Sequence, residues 1–325
     1  MLPDLDKIKA PVADELEAFE QYFRMALKSN TRLLDLVLKY LLRQKGKRIS
    51  PLFVFLSAAA TGGISPSTQH VAALIELLHT ATLVHDDVVD DSNQRRGFFS
   101  INALWKNKIA VLVGDYLLAK GLLLAMENED YALLKIVSEA TLEMSEGELM
   151  QMEKARRLDI DEQVYLEIIR KKTASLIASC CACGAASSGA SQELVFRMKT
   201  FGEKTGIAFQ IQDDLFDYQP TNCTGKPRGI DFRDQKLTLP LIYTLDHCSY
   251  SEKRTIIRTL KKDGENRHKV GEIINLVEKY GGLDYAHDKM LNYRNQALEL
   301  LDVLPASPAL DSLRELVVYI THRER

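Results

Sequence analysis

Apolar residues recur at three- and four-residue spacing along most of the chain, the mark of helices that bury one face. The spacing predicts helices over 12–29 and 31–44, an apolar one after Pro51 that stops at Gly62-Gly63, and one opened by Ser65-Pro66-Ser67. It predicts further helices over 101–126, 130–155, 161–188, 191–218, 237–248, 251–262, 268–281, 283–303 and 308–322. No run alternates with period two between hairpin turn residues, so no strand is expected. Most of the nine prolines fall at helix boundaries, where a missing N–H costs least. The expected fold class is all-α.

Two of these helices end in acid. The helix opened by Ser65 carries the apolar run from Leu74 and finishes in Asp86, Asp87, Asp90 and Asp91, with Arg95 and Arg96 just beyond. If the helix continues, Asp86 and Asp90 stand one turn apart on one face, where two carboxylates repel unless a cation lies between them. A solvated helix tip is the plain reading of one such cluster. A second cluster repeats the spacing at Asp213, Asp214 and Asp217, again delivered by an apolar helix. Two acid tips facing one cavity would need divalent cations, and oxygen-only ligands point to Mg²⁺.

Basic residues supply the other half: Lys47 and Arg48, Arg95 and Arg96, Lys171 and Lys172, and Lys226, Arg228 and Lys236 in the long loop 219–236. Each alone reads as surface charge. Together with the acids they suit two highly charged anions, one held through metal and one through Arg and Lys. The stretches between are apolar, so the rest of such a ligand would be hydrocarbon.

Composition narrows the field. With 46% apolar and 27% charged residues the chain has ordinary globular character. A length of 325 residues would allow two domains; with no linker in view, one domain over 1–325 is expected. A net charge of -3 provides no basic field, so no nucleic-acid partner is expected. The N-terminus lacks an apolar signal core, and five cysteines, an odd number, argue against a disulfide framework. A cytoplasmic setting is the expectation. Cys180, Cys181 and Cys183 sit among small apolar residues and read as a buried helix face, and Glu143, Glu146, Glu148 and Glu153 as a solvated one.

The motifs GKR at Gly46–Arg48, DDVVD at Asp86–Asp90, RRG at Arg95–Gly97, GD at Gly114-Asp115, KT at Lys172-Thr173, FQIQDDLFD at Phe209–Asp217 and GKPRGID from Gly225 resemble the trans-type polyprenyl diphosphate synthases. The resemblance covers roughly residues 40–290 and is nearest to the long-chain heptaprenyl and octaprenyl members. It implies the isoprenoid synthase fold, a single bundle of about a dozen helices around a deep central cavity. It implies a condensation of isopentenyl diphosphate with an allylic diphosphate, assisted by three Mg²⁺, in a homodimer that touches membranes only loosely, through its product. Asp86, Asp90, Asp213 and Asp217 match the metal ligands. Lys172, Thr173 and Gln210 match the groups around the ionising end. Arg95, Lys226 and Lys236 match contacts to the allylic diphosphate, and Lys47, His79 and Arg96 match contacts to isopentenyl diphosphate.

One departure stands out. The family continues GKR with x-R-P, but here Ser50 stands where that second arginine is expected, which removes a charge-assisted contact. Arg48 or Arg43 would then have to compensate. Small residues at Ala81 and Thr82, below Asp86, leave a tunnel open past fifteen carbons, with Leu78 a deeper floor. A product of roughly thirty to forty carbons for a quinone side chain is expected. The rivals are a shorter-chain farnesyl or geranylgeranyl synthase, a class I terpene cyclase, and a non-catalytic subunit of a heteromeric synthase.

Overall fold

A computed structural model describes residues 4–44, 46–95, 97–157, 160–218, 236–263 and 266–322. Helices α1 (Leu5–Lys9), α2 (Ala13–Ala26), α3 (Arg32–Arg43) and α4 (Ile49–Thr61) lead to the long α5 (Pro66–Val89). After a two-stranded hairpin come α6 (Ile101–Glu127), α7 (Tyr131–Arg157), α8 (Glu162–Ile169), a π-turn (Arg170–Ala174), α9 (Ser175–Ser187) and α10 (Gln192–Phe216). The last five are α11 (Leu239–His247), α12 (Tyr250–Asp263), α13 (Arg267–Lys279), α14 (Gly282–Leu300) and α15 (Pro308–His322). The expected helices are all present, with ends moved by a few residues.

The start of α5 follows from its sequence. Ser65 accepts from the Thr68 backbone N–H while the Thr68 side chain accepts from that of Ser65, so two orphan donors are satisfied reciprocally. The Ser65 hydroxyl also donates to the Ser187 carbonyl at 2.8 Å. The entry of α5 is thereby tied to the exit of α9.

Helix α9 is the axis of the packing. It lies against α4, α5, α7 and α10, while α5 runs along α6 and α10 along α14. Ala178, Ala182 and Ala185 and the three clustered cysteines are fully or almost fully buried on it. Burial pushes all three thiols up, Cys181 to about 12, so they pack as small hydrophobes. A Cβ at Gly202 or Gly206 on α10 would lie 2.6 Å from the Ile177 carbonyl and 2.5 Å from the Ala174 Cα, so the two helices meet backbone to backbone. Phe19, Phe23, Phe53 and Phe55 fill the wider space between α2 and α4, each worth roughly 1.5–3 kcal/mol on burial. A second apolar cluster joins α8, the C-terminal half of α10, and α11–α14.

Three features depart from the sequence pattern. Residues 5–9 form α1, capped by the Asp4 carboxylate. Gln94–Arg95 (β1) and Phe98–Phe99 (β2) form an antiparallel hairpin whose second turn residue, Gly97, has φ +79°. Two residues a side are too few to show alternation; only the glycine signals the turn. The Tyr40 hydroxyl donates to the Phe99 carbonyl at 2.7 Å and pins this hairpin to α3. Finally, the helix expected over 161–188 is continuous but widens into the π-turn.

Candidate active site

Both acid clusters lie at helix C-termini. Helix α5 runs through Val89 with Asp90 as its C-cap, and α10 through Phe216 with Asp217 as its C-cap. Asp86 and Asp90, and likewise Asp213 and Asp217, are therefore one turn apart. Carboxylates at a helix C-terminus add to the negative end of the dipole, and neither last turn carries a basic residue. The arrangement is unfavourable unless a cation offsets it. Among the described residues no three His, Cys, Asp or Glu side chains converge tightly enough to hold a metal by themselves.

The second cluster is embedded in a hydrogen-bonded line. The Thr173 hydroxyl donates to Gln210 Oε1 at 2.8 Å, Gln210 Nε2 donates to Asp214 Oδ1 at 2.8 Å, and the Tyr165 hydroxyl donates to Asp214 Oδ2 at 2.7 Å. Asp214 is buried, and both its oxygens accept a bond, as a buried carboxylate requires. The line fixes which way the Gln210 amide points. It leaves the Thr173 oxygen with lone pairs to present. Tyr165 was not singled out by sequence: a lone tyrosine on an apolar helix looks like core.

A cavity of about 170 Å³ opens here, lined by Lys172, Thr173, Gln210, Asp213, Asp214 and Lys236, with Gln151, Tyr165 and Thr238 around them. Five of the sequence-predicted residues are thus brought together. The Lys172 ammonium sits on α7, 2.5 Å from Glu148 and 3.2 Å from Gln151. Asp86, Asp90, His79 and Lys47 do not line this cavity. Arg96 and Lys226 lie outside the described residues, and the Arg95 backbone forms the hairpin.

The first cluster is braced from α6. The Asn102 side chain donates to the carbonyls of Asp87 and Ser92 at 3.1 and 3.2 Å, and the Ser100 hydroxyl donates to Ser92 at 2.6 Å. His85 Nε2 lies 3.1 Å from the Val111 carbonyl and 3.6 Å from Asp115. A carbonyl only accepts, so Nε2 carries the proton. A Cβ at Gly114 would sit 2.0 Å from that nitrogen, which accounts for the glycine of the GD motif: it makes room for the ring beside Asp86.

Two expectations are corrected. Arg48 does not stand out toward a ligand. Its guanidinium donates to Glu20 at 2.7 Å and to the buried Glu76, and lies 5.0 Å over the Phe23 ring. Burial works against its charge, but Glu76 and Glu20 outweigh that and raise its pKa. Ser50, in the first turn of α4, is half-buried. Lys47 remains exposed, 5.4 Å over the Tyr319 ring. Second, the acidic face of α7 is only partly solvated: Glu146 and Glu153 are exposed and Glu143 and Glu148 half-buried, and Glu143, Glu146 and Glu148 pair with Arg170, Lys171 and Lys172 in turn, because the π-turn lies against that side of α7.

An all-helical chain with two acid-tipped helices and a lysine–threonine–glutamine constellation at one of them has the isoprenoid synthase architecture. The polyprenyl synthetase family model matches residues 31–277. The chain is 37% identical over 311 residues to the all-trans-nonaprenyl-diphosphate synthase (geranyl-diphosphate specific) of Rhodobacter capsulatus, covering 95% of each chain. Its fold superposes on a decaprenyl diphosphate synthase from the same organism with a TM-score of 0.93 at 34% identity, covering 99% of this chain and 100% of that one. A polyprenyl synthase from Caulobacter crescentus CB15, complexed with calcium and isoprenyl diphosphate, gives a TM-score of 0.92 at 30% identity, covering 100% of this chain and 99% of the other. The chain belongs to the polyprenyl synthetase family and is a trans-prenyltransferase of isoprenoid synthesis.

Proposed function

We propose that the chain, as one domain, condenses isopentenyl diphosphate with farnesyl or geranylgeranyl diphosphate into an all-trans polyprenyl diphosphate of roughly thirty to forty carbons. The observation that carries this reading is the Thr173–Gln210–Asp214–Tyr165 line at an acid-tipped helix, flanked by Lys172 and Lys236. Relatives named heptaprenyl and octaprenyl diphosphate synthase support a product of that length, and the nonaprenyl and decaprenyl relatives support a long chain more broadly.

The donor set fits Mg²⁺. It is all carboxylate, and neither cluster closes a coordination shell alone, which suits a cation that keeps waters and shares phosphate oxygens. Asp86, Asp90, Asp213 and Asp217 would hold it. Bound there, the cations supply neutralisation of the charge that develops on the departing diphosphate. Lys172, Lys226, Lys236 and Arg95 bind that diphosphate, and Lys47, His79 and Arg96 the second one. Thr173 and Gln210 present neutral oxygen dipoles to the allylic cation, and apolar walls exclude water. The double bond of isopentenyl diphosphate attacks the cation, and the released diphosphate takes the proton. No strong side-chain base is needed.

The hydrocarbon would run along α5, past Thr82 and Ala81 toward Leu78. On the other side, α6 and α7 expose Leu112, Leu122, Leu123, Met126, Leu142 and Leu149, an apolar face suited to a second copy of the chain. Incubating pure protein with Mg²⁺, farnesyl diphosphate and labelled isopentenyl diphosphate tests the reading. Chromatography of the dephosphorylated products is expected to show long labelled polyprenols. A cyclic hydrocarbon without label, or no incorporation, overturns it.

A further inference from the structure

The π-turn Arg170–Ala174 has two faces. The inner one gives Lys172 and Thr173 to the 170 Å³ cavity. The outer one carries Arg170, which lines a separate groove of about 550 Å³ with Glu167, Glu203, Lys204 and Tyr293. Arg170 makes a fork on Glu167, with Nε and Nη2 donating at 3.0 and 2.9 Å. Its Nη1 donates to Glu143 at 3.0 Å and lies 3.7 Å from Glu203. One guanidinium thus links α7, α8 and α10 at the residue where the helix widens. The fork on Glu167 raises the Arg170 pKa and lowers that of Glu167.

The next two cations follow suit. Lys171 Nζ lies 2.8 Å from Glu146 and Lys172 Nζ 2.5 Å from Glu148. A Cβ at Gly147 would lie 2.7 Å from the Lys172 backbone nitrogen, so α7 approaches the π-turn without a side chain between them. In a regular helix three consecutive side chains fan over about 200°; a wider turn narrows that fan and forgoes ideal hydrogen bonds. Something outside the helix must hold it, and Arg170 is the group that grips three neighbours at once.

We propose that Arg170 is a positioning residue for the transfer reaction: by clamping the π-turn from outside, it keeps Lys172 and Thr173 aimed into the site. This rests on the function proposed above. If the turn relaxed to regular helix, the Thr173 hydroxyl would swing away from Gln210.

The test compares Arg170→Met, Arg170→Lys and a control in the same groove, Lys204→Met, whose ammonium lies 5.1 Å over the Tyr293 ring. For Arg170→Met, kcat is expected to fall about tenfold or more, the scale of a small misplacement of reacting groups, with KM for isopentenyl diphosphate within about twofold. Arg170→Lys keeps the charge without the fork and recovers part of the loss; Lys204→Met matches the parent. A crystal structure of Arg170→Met is expected to show the Thr173–Gln210 bond broken. Unchanged kcat in the folded variant overturns the proposal. So does a KM for isopentenyl diphosphate that rises as much as kcat falls, or a crystal structure that retains the 2.8 Å bond. Should the parent itself not elongate, the functional reading fails and the crystal structures still decide the clamp.

Discussion

Replacing Arg48 by methionine separates two roles that the GKR motif allows. The side chain is 21% exposed and its partner Glu76 only 9%, so removing the guanidinium strands a carboxylate in the core between α4 and α5. Breaking a buried pair from one side costs about 3–5 kcal/mol, because the remaining charge has no compensation. With roughly 2 cal/mol/K of unfolding entropy per residue over 325 residues, that corresponds to a drop in Tm of about 4–7 °C. Urea unfolding of Arg48→Met checks the figure. Adding Glu76→Gln to Arg48→Met removes the stranded charge and is expected to restore much of the loss. KM for isopentenyl diphosphate, measured below the new Tm, should stay within about twofold, under 0.5 kcal/mol. A stability loss under about 1 kcal/mol, the range of an exposed pair, together with a tenfold rise in that KM, would refute the reasoning and return Arg48 to the substrate.

Other outcomes follow from the same geometry. Tyr165→Phe takes one donor from buried Asp214 and should cost about 1.5–3 kcal/mol, the range for bonds to charged groups, read by denaturant unfolding, with kcat reduced through a loosened Gln210. Gly114→Ala puts a methyl into the His85 ring; a lowered Tm and reduced turnover are expected, and His85→Ala in the same chain should relieve the clash but not the turnover. Ala81→Phe adds a ring to a fully buried site and should shorten the products on reverse-phase chromatography, alongside an overpacking cost of about 1–3 kcal/mol. Bonds from Ser249, Tyr280 and Lys279 lower the Glu252 pKa from 4.5 to about 2. A depressed folded pKa means stability present above pH 4.5 and lost as the pH falls toward 2, so Glu252→Gln should flatten the acid limb of a stability–pH curve over that window.

The helices were legible because each has one apolar stripe and ends at Pro, Gly, Ser or Asp. The acid tips were legible because a doubled D-D-x-x-D spacing has few structural reasons to recur. What escaped the pattern escapes for identifiable reasons. The π-turn leaves no trace in apolar periodicity, because the helix that follows it, Ser175–Ser187, is built of small uncharged residues nearly all round and has no stripe to shift. The Glu143–Glu146–Glu148 face looks solvated in one dimension, since its partners lie about 25 residues away on the next helix. Arg48 turns inward because α4 begins directly after it, and its φ of +54° directs the chain into the core. Tyr165 joins the site through its bond to Asp214, a contact that spans 49 positions.

The contact between α9 and α10 reaches beyond packing. With Gly202 and Gly206 set against the backbone of residues 174–178, this crossing admits no side chain at either glycine. Changes in side-chain volume are therefore accommodated away from these two positions. The chain thus carries, near its centre, a crossing whose backbone spacing leaves almost no room for substitution at two positions.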